Sequence, residues 1–279
     1  GRDSLLTLLI GWRALQKRFV DLSEDERKAK TAAMMSAFYM PSRYSSDHTS
    51  QCAETICQEL GVPFKVVPIE DAFNREADIA RTMVGGDLTG LTQQNIQARL
   101  RSLRMWNWSN TSGALFLQTG NMSEKALGYT TVGGDLEGAY SVIANLPKTV
   151  VIALIERLYR RFGFEGIKMT MSTMAGPELA ENQSGESELM PFEVLDACLY
   201  LYASEKLATD EVARALPSLF PDHDPAQLSA WATKFTRLFT QSIFKWVQAP
   251  LAIHVGSLEL DRERALQLPV VQRTEWTGK

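Results

Sequence analysis

Two short stretches of this chain carry residue types that could do chemistry. It opens Gly1-Arg2-Asp3-Ser4, a small polar turn running into an apolar helical pattern. Such a turn at a helix start offers backbone N–H groups and the positive end of the helix dipole to an anion. A hydroxyl there suits a phosphate, and a carboxylate suits a hard metal ion. The same residues also fit a plain helix cap, with Asp3 or Ser4 satisfying the first amides. The second stretch is the polar turn Thr119-Gly120-Asn121-Met122-Ser123 with Glu124 behind it. If Ser123 caps a helix there, Glu124 is a solvated residue of its first turn. His48, His223 and His254 are scattered and suggest no histidine base.

These turns need elements to hold them. Leu5, Leu8, Leu9, Trp12, Leu15 and Phe19 recur at helical spacing, which predicts a helix starting directly after Ser4. The apolar run Ala33 to Met40, ended by Pro41, predicts a buried strand. Ser50 to Leu60 predicts an amphipathic helix stopped by Gly61, and Phe64 to Ile69 a second strand. Gln93 to Trp108 predicts a helix bearing Arg99, Arg101 and Arg104. The last two of these arginines read as a solvated face, and Trp106 and Trp108 read as core. Ala114 to Gln118 predicts a strand, and Thr149 to Phe162 a helix stopped by Gly163. Alternating strands and helices at this spacing imply an α/β fold with a mainly parallel sheet. Ligands bind beyond the carboxyl ends of such strands. Gly1–Ser4, Pro41–His48 and Thr119–Ser123 are then expected along one edge.

Residues 176 to 191 are polar and rich in glutamate, and predict a mobile loop. Asp224 before Pro225, with Gln227 at the third position, marks the start of a helix to about Val247. Lys245 near its end complements the dipole. The expected division is an α/β core over 1–175, then loop, helices and tail over 176–279.

The 279 residues can bury one sizeable core. A net charge of −4, with both signs dispersed, gives no general attraction to nucleic acid or to anionic membranes. Cys52, Cys57 and Cys198 lack zinc spacing and read as reduced, buried thiols. No secretory signal or membrane-length apolar run is present, so the expected location is cytoplasmic.

The stretches also match a known family when taken in order. Gly1-Arg2-Asp3-Ser4 resembles the second half of the Ser-Gly-Gly-x-Asp-Ser pyrophosphate loop of N-type ATP pyrophosphatases. Met40-Pro41-Ser42-Arg43-Tyr44-Ser45-Ser46-Asp47, Asn95-Ile96-Gln97-Ala98-Arg99 and Thr119-Gly120-Asn121-Met122-Ser123-Glu124 resemble successive motifs of NAD synthetases. Gly128-Tyr129-Thr130-Thr131, Gly134-Asp135 and Leu146-Pro147-Lys148-Thr149 continue the pattern, as does the Glu178-Leu179 loop. The tail, with Lys245-Trp246-Val247-Gln248-Ala249-Pro250 and Leu268-Pro269-Val270-Val271, resembles the glutamine-dependent members.

That resemblance implies a parallel-sheet, adenine-nucleotide alpha-hydrolase-like (ATP pyrophosphatase) fold with a helical C-terminal extension. It implies amidation of deamido-NAD to NAD through an adenylated intermediate, with release of AMP and pyrophosphate. ATP and Mg2+ are the implied co-substrate and metal ion, and ammonia the nitrogen donor. By resemblance, Gly1, Arg2, Asp3, Ser4, Ser42, Arg43, Thr119 and Lys148 hold ATP, with Asp3 and Lys148 closest to the chemistry. Asn95, Arg99, Glu124, Tyr129, Thr130, Thr131, Asp135 and Lys245 hold deamido-NAD, and Asp3 and Glu124 hold magnesium. An upstream glutaminase domain and a homo-oligomer are further implications. The first Ser-Gly of the pyrophosphate loop and its preceding strand are missing from these residues, Gln94 replaces the usual Glu, and Gly176 replaces a Ser or Thr. The competing readings are another ATP pyrophosphatase and a non-catalytic scaffold.

Overall fold

In a computed structural model of the chain, residues 1–173, 178–180, 189–248, 252–258 and 260 are described. The architecture is α/β and mostly helical. The chain forms two compact units that interleave in sequence. The first comprises 1–114 and 152–184, the second 115–151 and 185–279. Residues 115–151, placed with the α/β core by sequence, thus group with the C-terminal helices. Most of the polar loop over 176–191, and the tail beyond residue 260, lie outside the described residues.

The first unit starts with α1, Arg2–Arg18, and α2, Glu24–Met34. Strand β1 covers Ala37–Tyr39 and pairs in parallel with β2, Phe64–Val66, with Phe38 opposite Lys65. Between them lies α3, Asp47–Leu60, ended by Gly61 at φ 69°. The left-handed conformation suits glycine and closes the helix there. Helices α4, Glu70–Val84, and α5, Gly90–Ser112, follow. They pack through Phe73, Ala77 and Ile96.

The expected strand over Ala33 to Met40 is corrected to the end of α2 followed by a three-residue strand. A capping box explains this: Glu26 N donates to Ser23 Oγ, and Ser23 N donates to Glu26 Oε2 at 2.9 Å. The box launches a helix that runs on into the apolar stretch.

Most of α7, Lys148–Phe162, and all of α8, Glu165–Ser172, belong to this unit. The Trp12 ring meets Phe162 and Phe164 edge-on at 5.4 and 5.6 Å. Glu59 on α3 accepts the amides of Glu165 and Gly166 at 2.8 and 2.9 Å, so α3 caps α8. At Gly166 a Cβ would lie 2.6 Å from the Ile56 backbone nitrogen, so the two helices can approach only with glycine there.

The second unit contains β3, Leu117–Gln118, paired in parallel with β4, Tyr140–Ser141. Helix α6, Met122–Leu127, lies between them in sequence. Farther along come α9, Phe192–Leu199, a π-helical turn over Tyr200–Ser204, α10, Thr209–Leu219, and α11, Pro225–Trp246. Asp224 caps α11 by accepting from the amides of Ala226 and Gln227, as its sequence predicts. The core is built on α11: Leu228, Ala232, Phe235, Phe239 and Ile243 are fully buried along one helical stripe. Burying each Phe or Leu contributes about 1.5–3 kcal/mol. Beyond α11, Ala252 makes a parallel bridge to Ser141, and Asn145 Oδ1 accepts the amides of Val255 and Gly256 at 2.9 Å.

The cysteines are buried and unpaired in disulfides. Burial pushes Cys57 up to about 11 and Cys198 up to about 12, so both stay protonated, inert thiols at neutral pH. Among the described residues no helix is long and apolar enough to cross a membrane.

Candidate functional site

The residues singled out in the sequence divide between the units. Gly1–Ser4, Ser42, Arg43, Asn95 and Arg99 belong to the first; Thr119, Glu124, Tyr129–Thr131, Asp135, Lys148 and Lys245 belong to the second.

In the first unit, α1 begins at Arg2, not after Ser4. Gly1 is the cap residue, and no side chain caps the helix. The reading of Asp3 or Ser4 as a cap is therefore corrected: both lie inside the first turn. The opening amides of a helix have no partner within it, and Asp3 places a negative charge beside the positive end of the dipole. Arg2 points to the end of α8, where Nη2 donates to the carbonyls of Met171 and Thr173 at 3.1 and 3.2 Å.

Ser42 is buried in a turn closed by Ser45 N donating to the Ser42 carbonyl at 3.0 Å. Arg43 is bound to Glu70, whose Oε1 accepts from Nε at 2.7 Å and also from Nη2, while Asn74 Oδ1 accepts from Nη2 at 2.7 Å. Glu70 raises the Arg43 pKa. This pairing fixes the loop and engages most of the Arg43 fork.

Asn95 is half-buried on α5, and Arg99 is exposed one turn further on. The reading of Arg101 and Arg104 as a solvated face is corrected. Arg101 Nε donates to the Met40 carbonyl at 3.0 Å, and Arg104 donates to the carbonyls of Val67 and Pro68 at 3.0 and 2.7 Å. Together they pin α5 to the ends of β1 and β2. Trp108 is half-buried and packs edge-on to Phe38 at 5.1 Å.

Glu178 docks on the start of α3. Its Oε1 accepts from Ser46 Oγ at 2.9 Å and from Thr49 Oγ1 at 2.6 Å.

The second unit holds a tighter arrangement. Helix α6 is capped by Asn121, not Ser123. Glu124 N donates to Asn121 Oδ1 at 3.0 Å, and Asn121 N donates to Glu124 Oε2 at 3.3 Å. The pattern Asn-x-x-Glu was the available signal for this box. The other Glu124 oxygen, Oε1, lies 3.6 Å from Lys148 Nζ. The Lys148 side chain is only 6% exposed and that of Glu124 29%. Lys148 also faces the Phe192 ring at 5.6 Å. A buried ammonium needs a charged partner, and Glu124 supplies it. Glu124 is the more accessible of the two side chains.

Ser123 is buried and its hydroxyl serves elsewhere: it accepts from Lys148 N at 2.8 Å and donates to Asp196 Oδ1. Asp196 Oδ2 accepts from Thr149 N and Thr149 Oγ1, both at 2.8 Å. Burial raises the Asp196 pKa, and the hydrogen bonds from Ser123 and Thr149 partly offset this. Sequence reasoning missed Asp196. It lies more than forty residues past Thr149, and no local pattern marks it.

Tyr129, Thr130 and Thr131 follow the left-handed end of α6 at Gly128, φ 63°. Thr131 N donates to Asp135 Oδ1 at 2.5 Å. The Asp135 residue as a whole is exposed, yet its carboxyl is surrounded closely enough for desolvation to raise its pKa. Lys245 Nζ donates to the carbonyls of Gly128 and Thr130, both at 2.6 Å. Desolvation lowers the Lys245 pKa, and the Asp135 charge opposes that. Lys245 thus ties the end of α11 to this loop, a contact beyond its dipole. Thr119 is half-buried at the end of β3.

Residues 1–221 match the NAD synthase family model. The chain belongs to the NAD synthase family. It is 34% identical over 215 residues to a glutamine-dependent NAD(+) synthetase of Thermotoga maritima, covering 76% of this chain and 34% of that protein. The structure of a glutamine-dependent NAD(+) synthetase from Cytophaga hutchinsonii aligns with a TM-score of 0.83 at 22% identity, over 98% of this chain and 49% of that one. This likeness shows a shared fold. A glutamine-dependent NAD+ synthetase from Acinetobacter baumannii, solved in complex with ADP, aligns with a TM-score of 0.52 at 27% identity, over 95% of this chain and 43% of that one. The chain therefore spans between a third and a half of the length of these relatives.

Asp3 in the first unit and Glu124 in the second each carry a hard carboxylate of the kind magnesium takes, and the Glu124 side chain is 29% exposed. Among the described residues no cluster of three or more potential ligands occurs.

Proposed function

We propose that this NAD synthase family member is a synthetase that amidates deamido-NAD to NAD at the expense of ATP. The observation that carries the reading is the pairing of buried Lys148 with Glu124, within the residues that match the family model. The fold is read more finely as the parallel-sheet ATP pyrophosphatase type, with 176–279 as its helical extension.

A carboxylate is a poor electrophile toward ammonia and needs a leaving group first. A nicotinate carboxylate oxygen of deamido-NAD attacks the α-phosphorus of ATP, and the bond from that phosphorus to the bridging oxygen breaks, releasing pyrophosphate. Ammonia then attacks the adenylated carbonyl carbon, the bond to the AMP oxygen breaks, and the amide nitrogen loses its one extra proton to water. Binding ATP and carboxylate in line supplies much of the rate.

The chain's own residues have distinct tasks. The first-turn amides of α1 and the Ser4 hydroxyl hold the leaving pyrophosphate. Lys148 presents a fixed positive charge to phosphate oxygens, released in part from Glu124 as ATP binds. Ser42, Arg43 and Thr119 contact the rest of ATP. Asp3 and Glu124 would hold magnesium, which neutralises charge building on the phosphates when bound. Asn95, Arg99, Tyr129, Thr130, Thr131, Asp135 and Lys245 hold deamido-NAD, with Lys245 and Asp135 fixing the loop between them.

Glutamine enters through a glutaminase domain upstream, as the relatives' name suggests, and the protein is a cytoplasmic homo-oligomer. The adenylation step is tested with deamido-NAD labelled with oxygen-18 in its carboxylate. One labelled oxygen is expected in the AMP; unlabelled AMP would overturn the intermediate.

A further inference from the structure

Asp196 on α9 has no role in the proposed chemistry, yet it gathers three donors: the Ser123 hydroxyl, the Thr149 amide and the Thr149 hydroxyl. Ser123 also accepts the Lys148 amide. One carboxylate therefore joins α6, the first turn of α7 and α9. The Thr149 amide belongs to the opening turn of α7, whose N–H groups have no partner inside the helix and whose dipole favours a negative charge. A half-buried carboxylate with three donors is stable where a bare one would not be.

The tied residues are the chain neighbours of the working pair. Ser123 precedes Glu124, and Thr149 follows Lys148. Both Asp196 oxygens face protein donors, whereas the Glu124 and Lys148 side chains face each other at 3.6 Å. We infer that Asp196 is a positioning residue, which through Ser123 and Thr149 holds Glu124 and Lys148 at the spacing that ATP and its magnesium ion require. This rests on the proposal that Glu124 and Lys148 serve the adenylation.

The test uses the full-length protein and a double-mutant cycle. Asp196→Asn keeps the shape but loses the charge and part of the accepting capacity. It is expected to lower kcat/KM for ATP about 10- to 100-fold, the scale of losses when an orienting partner is removed. In a Lys148→Met background, where no ammonium remains to be positioned, the same substitution is expected to cost less than about twofold. Equal losses in both backgrounds would mean a merely structural role and overturn the inference, as would no loss in either. Thr149→Val, which removes one hydroxyl bond, carries the same cycle if Asp196→Asn does not fold. Calorimetric affinity for ATP with magnesium is measured alongside. If wild type forms no NAD, the function reading fails and the affinity cycle still decides the positioning role. Wild type without ATP affinity would overturn both.

Discussion

Lys245→Met separates three roles that one residue could play. The substitution keeps the aliphatic stem and removes the ammonium. It breaks the two 2.6 Å bonds to the carbonyls of Gly128 and Thr130. Charge-assisted hydrogen bonds are worth about 1.5–3 kcal/mol each when well buried. Lys245 is only half-buried, and its lowered pKa shows that desolvation already consumes part of the gain. A net loss of about 2 kcal/mol for the pair is the reasonable magnitude. For a protein of this size that corresponds to a fall in Tm of about 3–4 °C. Complementing a helix dipole alone would give about 0.3–1 kcal/mol and a much smaller shift. Slackening of the Gly128–Thr131 loop should also raise KM for deamido-NAD while leaving KM for ATP nearly unchanged. Thermal unfolding followed by circular dichroism and steady-state kinetics with each substrate varied read both effects. A fall in Tm with normal KM for deamido-NAD leaves a clamp and removes Lys245 from the ligand set. An unchanged Tm refutes the clamp.

Three further outcomes follow from the same geometry. Glu124→Gln is expected to lower kcat about 100-fold, the scale seen when a group stabilising transition-state charge is lost; a magnesium titration identical to wild type would exclude the metal role. Gly128→Ala forces a Cβ to within 2.3 Å of Ser242 Oγ at φ 63° and displaces the Ser242 bond to the Leu127 carbonyl, so urea unfolding should show a loss of about 2–3 kcal/mol. The raised Asp196 pKa means that the folded state binds a proton more tightly than the unfolded one, so its contribution to stability falls as pH rises from about 3.8 through the folded value. Asp196→Asn should flatten that part of the stability–pH curve, and an unchanged slope would show that Asp196 is not its source.

Local rules made much of the fold readable. Asp224-Pro225 with Gln227 starts α11, and Gly61 and Gly163 end helices, because each acts through a few neighbouring backbone groups. The same kind of rule was available at Ser23…Glu26 and at Asn121…Glu124. Applied there, it would have shown the start of α2 and moved the cap of α6 to its observed place. What stayed hidden depends on partners far along the chain. Nothing near Arg101 or Arg104 shows that the carbonyls of Met40, Val67 and Pro68 will meet them. Asp196 is marked by no motif, since its donors come from Ser123 and Thr149. The family motifs pointed to Glu124 and Lys148, but the burial of Lys148 and its pairing required the packed second unit.

The central claim is that this chain's residues join ammonia to an adenylated carboxylate. It is tested most directly by incubating the full-length protein with deamido-NAD, ATP, magnesium and ammonium, then quantifying all products together. The account predicts NAD, AMP and pyrophosphate in equal amounts, all strongly reduced together in Lys148→Met. Release of ADP and phosphate, or consumption of ATP without NAD, would contradict it.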